Sequence, residues 1–100
     1  MRLTQQQINA IRATATDVFG EDARVVLFGS RADDSKKGGD IDLLICPGPQ
    51  KSDHLFDKKI RLLAQLERQL GERKIDVVIE YPHDTRPIVA VAHATGVQIN

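Results

Sequence analysis

Two aspartates one residue apart, Asp40 and Asp42, stand at the head of an apolar run, Ile41 to Cys46. A Gly29-Ser30-Arg31-Ala32 turn precedes them across a short polar stretch. If the run is a strand, its side chains alternate faces, so the two carboxylates project the same way with Cα atoms ~6.5 Å apart. Carboxylates so placed can converge on a hard cation such as Mg²⁺, which takes oxygen ligands. The Gly-Ser turn offers backbone N–H groups and a hydroxyl, which suit phosphate oxygens. The chemistry implied is metal-assisted handling of a triphosphate. A solvated strand end is the competing explanation. Asp is depleted in strands, and a charge at the mouth of a buried strand is costly unless paired or metal-bound, which alone balances the two explanations; the Gly-Ser turn decides for the site.

The pattern hydrophobic-Gly29-Ser30, a spacer, then Asp40-Ile41-Asp42-Leu43 resembles the nucleotidyltransferase superfamily that includes DNA polymerase β. With its Gly-Ser-Arg-Ala turn and its size, the chain is most similar to the minimal nucleotidyltransferase (MNT) family, over nearly its whole length. The resemblance implies Mg²⁺-dependent transfer of a nucleoside monophosphate, AMP from ATP, to a hydroxyl. It implies two Mg²⁺ ions on Asp40, Asp42 and Asp76, with Asp76 also helping to activate the attacking hydroxyl. Gly29, Ser30 and Arg31 would bind the nucleotide's phosphates. Many members are antitoxins encoded beside a HEPN-domain ribonuclease toxin, so the implied partner is a HEPN-domain protein in a hetero-oligomer, silenced by modification of a tyrosine. Gly38-Gly39 before Asp40 departs from the family's usual Ser-Asp pair or single Ser, and implies a more flexible loop with no loss of ligands.

The remaining polar groups sort less sharply. In Ile75-Asp76-Val77-Val78-Ile79-Glu80, alternation puts Asp76, Val78 and Glu80 on one face. Asp76 joins the pair if this strand lies beside the first. Otherwise it is a solvated strand start paired with Lys74 or Arg73. Glu80 ranks below it because it sits at the strand end. Arg31 is equally suited to bidentate phosphate binding and to bracing the turn against a carboxylate such as Asp40. Lys36 and Lys37 read as a solvated loop. His54, His83 and His93 have no metal-ligand spacing. His93 reads as packed or interfacial, and Cys46 as a small buried hydrophobe.

Elements must hold these groups in place. Thr4-Gln5-Gln6-Gln7 has the form of a capping box opening a helix from about 4 to 19, stopped by Gly20. Residues 23–28, 41–46 and 75–80 read as strands. Ser52 or Asp53 is expected to cap a long helix closed by Gly71, with Phe56, Ile60, Leu63, Leu66 and Leu70 as its apolar stripe. Pro87 opens a last helix to Thr95, and residues 97–99 form a short edge strand. The expected fold is α/β (α+β): a small mixed sheet flanked by helices, in two or three layers.

One hundred residues give one domain, spanning 1–100. The formal net charge is zero, so bulk charge argues for neither nucleic acid nor membrane as a partner. No apolar stretch approaches the ~20 residues of a membrane span. The single cysteine and the absence of an apolar leader fit a reducing cytoplasm. Three functions remain open: a nucleotidyltransferase antitoxin that modifies its partner, an antitoxin that blocks the partner by occlusion alone, and an aminoglycoside-type nucleotidyltransferase subunit. The last helix, nearly apolar all round, is expected to share a protein interface with part of the long helix's stripe.

Overall fold

The computed structural model describes residues 3–32, 39–48, 53–71 and 74–100. Lys36, Lys37 and Ser52 lie outside them. The first helix, α1 (Gln5–Phe19), opens on the expected capping box: the Thr4 hydroxyl accepts from the Gln7 amide at 3.1 Å, and the Gln7 side chain accepts from the Thr4 amide at 2.8 Å. It ends at Gly20, whose φ of 95° lies in the left-handed region that favours glycine. Strand β1 (Arg24–Phe28) leads through a 3₁₀ turn (Gly29–Arg31) towards β2 (Ile41–Cys46). Helix α2 (Leu55–Leu70), β3 (Ile75–Ile79), α3 (Pro87–Thr95) and β4 (Val97–Gln98) follow.

The sheet order is β3-β2-β1-β4. Strands β2 and β3 are parallel, because α2 carries the chain back between them, while β1 is antiparallel to both its neighbours. The sheet is therefore mixed, as expected. The period of two then divides the side chains. Ile41, Leu43 and Ile45 with Ile75, Val77 and Ile79 join Ile11, Phe19, Leu62 and Leu66 in the main core under α1 and α2. Val26, Phe28 and Leu44 meet Val89 and Ala92 of α3 in a smaller core on the opposite face. The fold thus has three layers, the third being α3 alone. Each fully buried Leu or Ile contributes about 1.5–3 kcal/mol, so the main face, where Leu43, Ile45, Leu62 and Leu66 are fully buried, dominates stability.

Gly96 lets α3 turn back into β4 at close range. A Cβ there would lie 2.4 Å from both Val26 Cγ1 and the Ala92 carbonyl oxygen. The C-terminal Asn100 then closes the edge, its side chain accepting from the Val25 amide at 2.8 Å and donating to the Ala23 carbonyl at 2.7 Å.

Two local expectations are corrected. Helix α2 starts at Leu55, and its N-cap is His54, in the left-handed region at φ 57° with no side-chain cap; Asp53 does not cap it. Of the expected stripe of α2, Leu66 is buried and Leu63 and Leu70 pack against the core, but its first two residues do not. Leu55, Leu62 and Leu66 face the core, while Phe56 and Ile60 are 67% and 51% exposed. The apolar band of α2 is wider than one contact face. Docking against α1 selects one edge of it and leaves the other in solvent.

Candidate functional site

The parallel pairing of β2 and β3 sets Asp42 directly abreast of Asp76. Adjacent strands lie ~4.8 Å apart, so two carboxyls leaving the same face at one register position meet. Both leave the sheet on the face that carries α3, where Leu44 and Val78 are the next residues inward. Asp40 precedes the strand instead of belonging to it. The Ile41 amide donates to the Lys74 carbonyl at 3.0 Å, which aligns the two strand starts. The Asp40 carboxylate lies 3.7 Å from Lys74 Nζ. Lys74 therefore pairs with Asp40; Arg73, the other cation of the solvated-strand alternative, lies outside the described residues.

The electrostatics single out Asp42. Burial, then the charges of Asp76 and Asp40, raise its carboxyl above the ordinary carboxylate range; Lys74 opposes this only partly. A site of three carboxylates with one exposed lysine holds an excess of negative charge. An all-oxygen donor set with surplus negative charge fits a hard divalent cation such as Mg²⁺.

The turn after β1 is built against the same carboxyl. Phe28 pairs with Asp42 across the sheet, so Gly29 arrives beside it. Gly29 has φ +73°, and a Cβ on it would lie 2.3 Å from Asp42 Oδ2. The glycine is thus required first by the Asp42 carboxylate and by its own backbone. That is a different reason from close approach to a phosphate. Ser30 follows in the 3₁₀ turn, which closes when the Ala32 amide donates to the Gly29 carbonyl at 3.2 Å. Arg31 is buried, and its Nε donates to the Gly39 carbonyl at 3.3 Å. It ties the turn to the residue just before Asp40 through a backbone carbonyl, where the expected brace was a carboxylate such as Asp40.

The structure therefore brings Asp42, Asp76, Gly29 and the Arg31 brace to one end of one sheet face, with Asp40 beside them on Lys74. At the other end of that face stands a group the sequence reading did not assemble. Among the described residues, Cys46, Glu80 and His93 are the one set of three metal-ligating side chains whose donor atoms all lie within 4.8 Å of one another. Alternation places Cys46 on the Asp42 face and Glu80 on the Asp76 face. No local spacing could have added His93, which arrives from α3.

The sequence was also compared with known proteins. No curated protein matches it significantly. The family model described as "Polymerase beta, Nucleotidyltransferase" matches residues 7–99, which takes in every strand and helix from α1 to β4. The chain belongs to this family and is a nucleotidyltransferase domain.

Proposed function

We propose that the chain transfers AMP from ATP to a hydroxyl of a partner protein, and that the partner is a HEPN-domain toxin which the modification silences. The observation that carries the transfer chemistry is the Asp42–Asp76 pair, abreast on parallel strands and wedged against Gly29. Asp40, Asp42 and Asp76 would hold Mg²⁺. When bound, the metal neutralises triphosphate charge and makes an oxygen nucleophile available near neutral pH.

The chain's own residues do the positioning. Strand register fixes Asp42 and Asp76, so little reorganisation is needed at the moment of reaction. Asp76 stands on the outer side of Asp42, next to the edge of the sheet, and receives the acceptor hydroxyl and its proton. The Gly29–Arg31 turn offers its backbone amides to the phosphates. Arg31, held by Gly39, keeps the turn and the aspartate segment in one geometry.

The acceptor must then approach on the face that carries α3. That helix buries Val89 and Ala92 and exposes Ile88 and Val91, the latter 51% exposed. This apolar edge on the carboxylate face of the sheet supports docking of a helical partner there. The exposed Phe56 and Ile60 belong to the opposite side of the sheet, so the expected shared interface divides into two separate patches.

The test is incubation of the chain with labelled ATP, Mg²⁺ and its co-encoded HEPN protein. Label on a partner tyrosine, lost with Asp42→Asn, is the expected outcome. Neutralisation of the toxin without label would replace transfer by occlusion.

A further inference from the structure

We propose that Cys46, Glu80 and His93 form a Zn²⁺ site that fastens α3 to the end of the sheet. Three elements contribute one ligand each. Cys46 is the last residue of β2, and Glu80 directly follows β3. The Glu80 amide donates to the Ile45 carbonyl at 2.9 Å, which continues the ladder and sets Glu80 beside Cys46. His93 lies in the last turn of α3, and its Nε2 already contacts a Glu80 carboxylate oxygen. A Glu80 carboxylate oxygen also lies within 4.8 Å of the Cys46 sulfur.

The donor set is one sulfur, one nitrogen and one oxygen. Zinc binds all three types, and thiolate with imidazole discriminates against Mg²⁺ and Ca²⁺. At zinc bond lengths of about 2.0–2.3 Å, tetrahedral ligands stand ~3.5 Å from one another. Donor atoms already within 4.8 Å need only small side-chain rotations to reach that spacing. Charge also balances: one thiolate and one carboxylate neutralise the dication, and the imidazole binds neutral. The His93 side chain is 49% exposed, which leaves a fourth position for water.

Burial and the neighbouring Glu80 push the Cys46 thiol up to about 11, so at neutral pH it keeps its proton. Zinc takes the sulfur as thiolate and releases that proton to solvent. What the chain gains is a clamp on a short element. Helix α3 has nine residues, too few to be stable alone, and two buried side chains hold it down. This inference concerns the opposite end of the sheet from the carboxylates and does not depend on the transfer reaction.

Co²⁺ titration of the untagged chain provides the test, since Cys46 is its only cysteine. The expected result is one equivalent of Co²⁺ with a thiolate-to-cobalt charge-transfer absorption, displaced by Zn²⁺. Zn²⁺ should also raise the thermal midpoint and protect Cys46 from alkylation. Cys46→Ser should abolish the absorption, and His93→Gln and Glu80→Gln should each weaken binding at least ~10-fold, as loss of a ligand requires. Asp42→Asn should leave the absorption unchanged. No charge-transfer band in the wild-type chain, or undiminished Co²⁺ affinity in both His93→Gln and Glu80→Gln, overturns the proposal. Alkylation protection in the wild type needs no variant to fold, and its absence overturns the proposal as well.

Discussion

The two ends of the α3-side sheet face differ in how their groups are brought together. At one end, Asp42 and Asp76 are placed by strand register alone, one residue from each of two neighbouring strands. At the other, Cys46 and Glu80 obey the same register, but His93 must be delivered by a helix forty-seven positions beyond Cys46 in the chain. The first end is all oxygen and overcharged. The second mixes sulfur, nitrogen and oxygen, and its histidine and glutamate already touch. Groups fixed by a rigid ladder suit chemistry that tolerates little misplacement. Groups that depend on a short helix suit a role in holding that helix.

The largest expected effect is at the acidic end. Asp42→Asn with Asp76→Asn should lower Mg²⁺-dependent nucleotide transfer at least ~10³-fold, because preorganised charge at the reacting centre is removed twice. The fold should persist, since neither residue belongs to a buried apolar cluster. The measurement is label transfer from ATP, with circular dichroism as the control for folding. Residual transfer within ~10-fold of wild type would detach the chemistry from this pair.

The turn gives the next effect, and two glycines sharpen it. Gly29→Val forces a β-branched side chain into φ +73° and into the Asp42 carboxylate. A loss of about 3 kcal/mol is expected from strain and overpacking together. Gly71 has a similar φ of +83°, but a Cβ there would meet nothing within 4 Å. Gly71→Ala should therefore cost only about 1 kcal/mol. Urea unfolding of both variants measures the difference. Equal losses would mean that backbone conformation, and not the carboxylate, makes Gly29 necessary. The same variant cannot isolate phosphate binding, because it displaces Asp42 as well.

How much of this was legible follows from the range of each signal. The carboxylate strand was legible because its two aspartates interrupt a local apolar run, and the capping box at Thr4 is equally local. Pairing of Asp76 with Asp42 needed only that β2 and β3 be neighbours. The strand bounds Ile41–Cys46 were legible as well; the contact of Asp40, just before the strand, with Lys74 was not. The start of α2 was misplaced because His54 adopts a left-handed backbone that no propensity foretells. Its stripe was right at Leu63, Leu66 and Leu70 but wrong at Phe56 and Ile60, because an apolar band from Leu55 to Leu70 can dock along either edge, and only the tertiary partner α1 chooses. The Cys46–Glu80–His93 cluster was out of reach for the same reason, since α3 alone brings His93 across the sheet.

The two patches exposed on opposite sides of the sheet predict a contrast in partner binding. Ala90→Glu on the exposed side of α3 should leave stability within ~0.5 kcal/mol but weaken capture of the proposed HEPN partner by ~10-fold or more, since an unpaired charge would be buried. Phe56→Gln on α2 should be as mild for stability and leave capture unchanged. Co-purification with titrated partner measures both. If only Phe56→Gln weakens capture, the partner sits behind the sheet and its hydroxyl cannot reach Asp76.

The smallest expected effect separates the two ends by pH, in chelator-treated protein. An acid whose carboxyl is raised by folding binds more protons in the folded state than in the unfolded one between the two values. Stability therefore falls as pH rises through that interval. For Asp42 the interval starts at the ordinary aspartate value, ~3.9, and extends upward to the raised one. For Cys46 it runs from the ordinary 9.0 to about 11. Metal-free wild type should thus lose stability in two separate windows. Asp42→Asn, which cannot ionise, should lack the acid-side loss and melt above wild type at neutral pH, while the two converge below pH ~3.9. Cys46→Ser should lack only the alkaline loss. Thermal midpoints from pH 3 to 11 for the three proteins measure both windows. An Asp42→Asn profile parallel to wild type across the acid range would mean that the carboxyl is not raised by its neighbours. The charge conflict that makes the acidic end receptive to a dication would then have to lie in Asp40 or Asp76 instead.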